Sequence, residues 1–198
     1  MAEAPRAALT LEVRLLPNLY HAVPDEIVGG QLHPLARLRE IAPLSYEAAV
    51  AKYRDDPRRA LIPRRHIAKI NCIGEDVINL SPIDPRAVHR AWRDLGVDLA
   101  PAEWFAIPAE RLDRPPAVMT RPDRMTGPVG EDLGDDAVSW FDPDSYRELT
   151  QLPERTRRWC AELAASGRRG AWFVGVPHVL VKGSVPIAGL ERFDWRSR

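Results

Sequence analysis

Residues 171–190 read AWFVGVPHVLVKGSVPIAGL, and the reading of this stretch decides the fold. Trp172, Phe173, Val174 and Val176 precede Pro177, and Val179, Leu180 and Val181 follow His178. Short runs of β-branched and aromatic residues, bounded by Gly and Pro, mark buried strands rather than a helix. The stretch predicts strand from 171 to 181, central in its sheet and covered on both faces. Lys182-Gly183-Ser184 predicts a turn or bulge before Val185-Pro186-Ile187. His178 is then a polar group where water is scarce, and the rest of the chain reads as material wrapped around this strand.

Working outward, the clearest local unit is residues 75–96. Glu75 to Ser81 reads as a strand running into a turn. Asp84 is a good N-cap, and Pro85 occupies the first helical position, where its missing N–H costs nothing. Ala87, Val88, Ala91, Trp92 and Leu95 fall on one helical face, and Gly96 closes the helix. Residues 103–107 predict a further strand, and 137–141 a short one. Residues 154–165 predict a helix with Trp159 and Leu163 on one face. Nearer the start, the alternation LTLEVRLL over 9–16 predicts a strand after a loose terminus, and 19–23 a second. Short helices are expected over 34–40 and 46–53, and an exposed, proline-broken loop over 55–65. Residues 113–136, rich in Pro, Gly, Asp and Arg, read as a long surface loop.

The chain has 198 residues, enough for a single domain spanning 1–198 with its own core. Basic and acidic residues balance at 28 each, so no global charge calls for a nucleic-acid or membrane partner. Two cysteines, Cys72 and Cys160, make no disulfide framework and fit a reducing compartment. No apolar run approaches a membrane span and MAEAPRAALT has no signal core, so a cytoplasmic protein is expected. The histidines share no ligand-like spacing, CxxC and HExxH are absent, and no metal is expected. Glycine-rich phosphate loops are absent too.

Three places carry a resemblance to the ADP-ribosyltransferase-like fold. Leu19-Tyr20-His21 resembles the strand that ends in a pocket histidine in the histidine-containing branch, near the DNA ADP-ribosyltransferases and tRNA 2′-phosphotransferases. VINLSPIDPRAVHRAWRDL, residues 77–95, resembles that fold's strand ending in a small hydroxyl residue and leading into a helix. VLVKGSVP, residues 179–186, is similar to the late strand that closes the cleft. The family usually carries a glutamate just before this last run, and here that position is His178. The resemblance implies an α+β domain with a split, mostly antiparallel sheet and flanking helices. It implies a cleft for NAD, as a substrate, or for a related nucleotide.

In that reading His21 and His178 are the catalytic candidates. Tyr20, His21, Ala22, Asn79 and Ser81 are the nucleotide-binding ones. An imidazole titrates near neutral pH and serves as acid, base or hydrogen-bond donor; the plainer readings are a strand-end histidine satisfied by backbone and a core histidine beside a proline. Ser81, before Pro82, equally shapes a turn, whereas Asn79 is unusual on a strand. Arg64, Arg65 and His66 form a basic cluster that suits a phosphate or a solvated loop. The expected activity is cleavage or transfer at an N-glycosidic carbon, with the acceptor left open. The alternatives are a nucleotide- or partner-binding module on the same scaffold, since a protonated imidazole opposes a developing positive charge where a glutamate supports it, and an unrelated histidine-dependent hydrolase or lyase.

Overall fold

A computed structural model describes residues 17–54, 57, 59–112, 115–125, 127–168 and 172–197. The strand expected over 9–16 and the terminus before it lie outside the described residues. In chain order the elements are β1 (Asn18–Ala22), β2 (Gln31–Leu32), α1 (Leu35–Ile41), α2 (Pro43–Ala51), β3 (His66–Ile67), β4 (Cys72–Ile73) and β5 (Val77–Leu80). Then follow α3 (Pro85–Asp94), β6 (Glu103–Pro108), β7 (Ala117–Thr120), β8 (Val138–Trp140), α4 (Glu154–Ala165), β9 (Val179–Lys182), β10 (Val185–Pro186) and β11 (Glu191–Asp194). The fold is mixed α+β. One antiparallel sheet has the order β1-β6-β11 and another the order β5-β9-β7-β8. The pairs β2–β10 and β3–β4 flank them.

Among the described residues, the two larger sheets are joined by one bridge, between Tyr20 and Ser81. Tyr20 N–H donates to the Ser81 carbonyl at 2.8 Å and Ser81 N–H returns the bond to the Tyr20 carbonyl at 2.9 Å. Strand alternation then sets what each face buries. One face is continuous across the seam: Leu19, Phe105 and Ile107 from one sheet pack with Leu80, Val179 and Val181 from the other. The opposite face is divided. Over β1, β6 and β11 it carries a tryptophan-rich cluster, where Tyr20, Trp104 and Phe193 meet Val88 and Trp92 of α3 and Cys160 and Leu163 of α4. Over β5, β9 and β7 it carries a separate cluster of Val77, Val118 and Leu180 with Ile67 and Ile70. Polar residues occupy the boundary between the two.

Local chemistry accounts for α3 as expected. Asp84 accepts from the Arg86 N–H at 2.8 Å, and Pro85 opens the helix. At its end the Gly96 N–H bonds the Arg93 carbonyl and the Val97 N–H bonds the Trp92 carbonyl, with Gly96 at φ +76°. That double closure needs a left-handed residue, which glycine supplies. It also turns Leu95 outward: Leu95 is 42% exposed and not part of the expected buried face, whereas Val88 and Trp92 are fully buried and His89 joins them.

Two expectations are corrected. Of the strand expected over 171–181, residue 171 lies outside the described residues, 172–175 form a turn, and the strand begins only at Val179, running to Lys182. Gly175 stands at φ +84° and Pro177 has no N–H for a ladder, so the run breaks ahead of His178. The apolar residues there join the tryptophan-rich cluster instead. Phe173 packs edge-on against Trp104, and Thr156 of α4 donates to the Val174 carbonyl at 2.8 Å. The second correction concerns residues 113–136, which are not one surface loop. They contain β7, an inner strand that pairs with both β8 and β9. Pro115-Pro116 and Arg121-Pro122 bracket its four residues so closely that the apolar run is masked. Residues 121–125 and 127–132 do form an exposed to half-buried excursion.

Candidate functional site

The register across the seam decides which of the expected site residues meet. Leu80 pairs with Val179 and Met119 with Val179, which carries Ser81, His178 and Thr120 into one transverse row with Tyr20. The Thr120 N–H donates to the His178 carbonyl at 2.8 Å, and the His178 N–H donates to Thr120 Oγ1 at 2.8 Å. Asn79, two residues before Ser81, projects from the same face. His21 alternates with Tyr20 and lies with Leu19 and Phe105 on the other side. The two histidines expected to share a cleft therefore leave the sheets on opposite faces, and the structure does not bring them together. A one-residue offset in register inverts the face of a side chain, and no local sequence signal reports that offset.

Each residue's own partners narrow the site further. Ser81 is buried, and its hydroxyl accepts from the Ile83 N–H at 3.1 Å and donates to the Ile83 carbonyl at 3.3 Å, shaping the turn before α3. Tyr20, only 4% exposed, donates to Glu148 Oε1 at 2.5 Å. The other carboxylate oxygen of Glu148 accepts from the Asn18 N–H at 3.2 Å. Burial first, and the Glu148 carboxylate next, push the Tyr20 phenol far above its ordinary range. Both hydroxyls are thus committed to the fold. His21 Nδ1 donates to the Ala22 carbonyl at 2.6 Å, the satisfied strand-end arrangement. Burial, then the Lys52 cation, hold the His21 imidazole down at about 4.

Asn79 and His178 remain. Asn79 is half-buried, and its side-chain amide has no hydrogen bond among the described residues. The His178 ring stands edge-on to Phe173, with centroids 6.3 Å apart. Burial, then the charge of Arg65, lower its imidazole to about 4 against the weaker pull of the Val176 carbonyl, so it is neutral at pH 7. Arg65 reaches this place from the turn of residues 59–64 that precedes β3. Its Nε is buried without a hydrogen-bond partner, and burial lowers its pKa. The Arg64-Arg65-His66 cluster was the only sequence trace of this residue, and nothing in it separates a buried arginine from a solvated one. Glu148 left no sequence trace, since its partner Tyr20 lies 128 residues away.

A concavity of about 520 Å³ lies elsewhere. Ala22, Val23, Asp25, Glu103 and Arg192 help to line it, and it takes in neither histidine. Its charged side chains are exposed and Arg192 is stacked over Phe105, so no buried unpaired group calls for a ligand there. The chemistry points to the 178 side. Among the described residues, no group of three His, Cys, Asp or Glu side chains is placed to hold a metal ion, and no helix is long and apolar enough to cross a membrane. The chain matches no family model, and no curated protein or solved structure shows significant similarity to it.

Proposed function

We propose that the protein is an ADP-ribosyltransferase-like module that binds NAD or a related nucleotide and holds it without cleaving the N-glycosidic bond. One observation carries the reading: the charged neighbour of the strand-entry residue His178 is the Arg65 guanidinium, not a carboxylate. Glycosidic cleavage builds positive charge on the ribose, and a site gains rate by placing negative charge or acceptors where that charge develops. A cation beside a neutral imidazole does the opposite for an oxocarbenium-like state while it favours an anionic ligand. Asn79, and the His178 ring nitrogen that does not face the Val176 carbonyl, suit ribose hydroxyls or a base edge. The order of the three family-like stretches supports the scaffold, and the two sheets joined at one bridge are consistent with its split sheet.

Calorimetry with NAD and with ADP-ribose, run beside an assay for nicotinamide release, tests this. The expected result is saturable binding without turnover, weakened in Asn79→Ala and His178→Ala by about 1–3 kcal/mol each for a lost buried hydrogen bond. Turnover of NAD by the wild type overturns the non-catalytic reading, and absence of binding to both ligands overturns the nucleotide reading.

A further inference from the structure

One edge of the four-stranded sheet is left open. β8 pairs with β7 alone and ends the sheet, with no strand beyond it among the described residues. The Phe141 N–H donates to the Ala117 carbonyl at 3.0 Å and the Arg121 N–H to the Ala137 carbonyl at 2.8 Å, so residues 137, 139 and 141 turn their backbone groups toward β7. Val138 and Trp140 then point their N–H and C=O groups outward, where they have no hydrogen bond among the described residues. The side chains of this edge are uncovered as well: Trp140 is 61% exposed, and Ser139 is exposed beside it. A concavity of about 250 Å³ borders the same edge, with Met119, Ser139, Trp140, Phe141 and Tyr146 among its walls. The Phe141 and Tyr146 rings stand 5.3 Å apart there.

An open strand edge is a template for another strand, and chains commonly blunt it with proline, lysine or a bulge. β8 contains none of these and presents an indole instead. Its surroundings carry one sign of charge: residues 131–147 hold six carboxylates and a single basic side chain, Arg147. Arg147 is engaged in its own turn, where it donates to the Asp144 and Tyr146 carbonyls. Asp136 before the strand and Asp144 after it are exposed and have no ion pair among the described residues. This charge disfavours a second copy of the chain as the occupant. With Ser139 on a two-fold axis, antiparallel pairing would set Asp136 of one copy opposite Asp142 of the other, and like charges so placed repel. We propose that the β8 edge docks an extended, basic peptide segment of a partner protein, which adds to the sheet as a fifth strand beyond β8. The backbone groups of Val138 and Trp140 would bind its main chain. Its alternate side chains would fall on the two faces, apolar ones into the concavity and basic ones against Trp140 and the flanking carboxylates. The inference goes beyond the nucleotide reading and is independent of it.

The test uses the full chain and a labelled peptide that alternates valine with lysine or arginine, titrated by fluorescence anisotropy. Saturable binding that weakens as salt rises is expected. Trp140→Ala should weaken it about fivefold or more, and Asp136→Asn with Asp144→Asn should weaken it further. All three positions are exposed, so these variants should keep the wild-type melting temperature. A peptide of the same sequence, N-methylated at the amides on one side of the strand, keeps its charge but cannot extend the ladder, and it should bind poorly. Hydrogen exchange should show new protection at the Val138 and Trp140 amides when the unmethylated peptide is bound. Absence of binding overturns the proposal. So does binding that is equal for the methylated peptide or for Trp140→Ala, which would be adsorption by charge alone. A peptide with glutamate in place of its basic residues that binds as well overturns the assigned chemistry. A dimer in sedimentation that Trp140→Ala dissociates would make a second copy the occupant and overturn the proposal too.

Discussion

Replacing Tyr20 with phenylalanine separates a structural hydroxyl from a ligand-binding one. The hydroxyl donates to Glu148 Oε1 at 2.5 Å, the carboxylate's other oxygen accepts from the Asn18 N–H, and the Tyr146 hydroxyl donates to the Asn18 carbonyl at 2.8 Å. These bonds tie β1 to the segment around residue 148, which itself joins the turn after β5 through the Leu149 N–H and the Pro82 carbonyl. Phenylalanine keeps the ring and its edge-on contact with Phe193 at 6.0 Å, so no cavity opens. What is lost is one hydrogen bond to a charged group, about 1.5–3 kcal/mol. For a chain of this size that is a fall of roughly 3–12 °C in melting temperature. Urea unfolding of wild type, Tyr20→Phe, Glu148→Gln and the double variant measures the coupling between the two groups. Ligand affinity should not change. A Tyr20→Phe protein as stable as wild type but impaired in ADP-ribose binding would refute the assignment and return Tyr20 to the ligand.

Trp92→Ala should cost about 3–5 kcal/mol by urea unfolding, because the side chain is fully buried and its N–H has no partner to lose. Trypsin should cut first after Arg124, in the exposed excursion, and not within the inner strand β7; a first cut elsewhere would show that the excursion is better held than its exposure suggests. The two depressed histidines make the fold acid-sensitive. The unfolded chain takes up their protons near pH 6.5 and the folded chain only near pH 4, so stability is full above about 6.5, falls on acidification through that window, and levels below 4. The loss is of order 2–3 kcal/mol for each histidine, and denaturation midpoints at pH 7, 5 and 4 in wild type and His178→Gln measure it, with a smaller fall in the variant. His178→Glu places a carboxylate beside Arg65, which should raise the urea midpoint at pH 7; a lower midpoint in that variant would contradict the proximity of the two side chains.

What the sequence made legible was local. The cap at Asp84-Pro85, the close at Gly96 and the apolar run 179–181 carry their own physics within a few residues, and each forms as read. The strand β7 was hidden because its four residues are bracketed by prolines, and only its two partners identify it as an inner strand. The division of residues 171–181 failed for a related reason. Trp172 and Phe173 have strand-like composition, yet they pack against tryptophans of another element, and composition does not name the partner. At the site, the grouping of Tyr20, Asn79, Ser81 and His178 on one face survives, but His21 departs from it. That distinction rests on one inter-sheet bridge, formed by residues 61 positions apart. Arg65 and Glu148 were out of reach because their roles come from residues far along the chain.

The sign of the charge beside residue 178 links fold to function. Pro177 has no N–H to offer and β9 begins only at Val179, so Thr120 Oγ1 takes the bond from the His178 N–H that a regular partner carbonyl would accept. This fixes the backbone of His178 at the boundary between two apolar clusters, where a titratable group keeps little solvation. Placed there alone, an imidazole stays neutral; placed there beside Arg65, it is held neutral more firmly. A glutamate at the same place would be drawn into a pair with Arg65. With histidine the guanidinium stays available to a ligand anion; with glutamate it becomes an internal partner. In the reading proposed above, a site without a carboxylate at this place lacks a means of steadying a ribosyl cation, and the non-catalytic proposal turns on that lack.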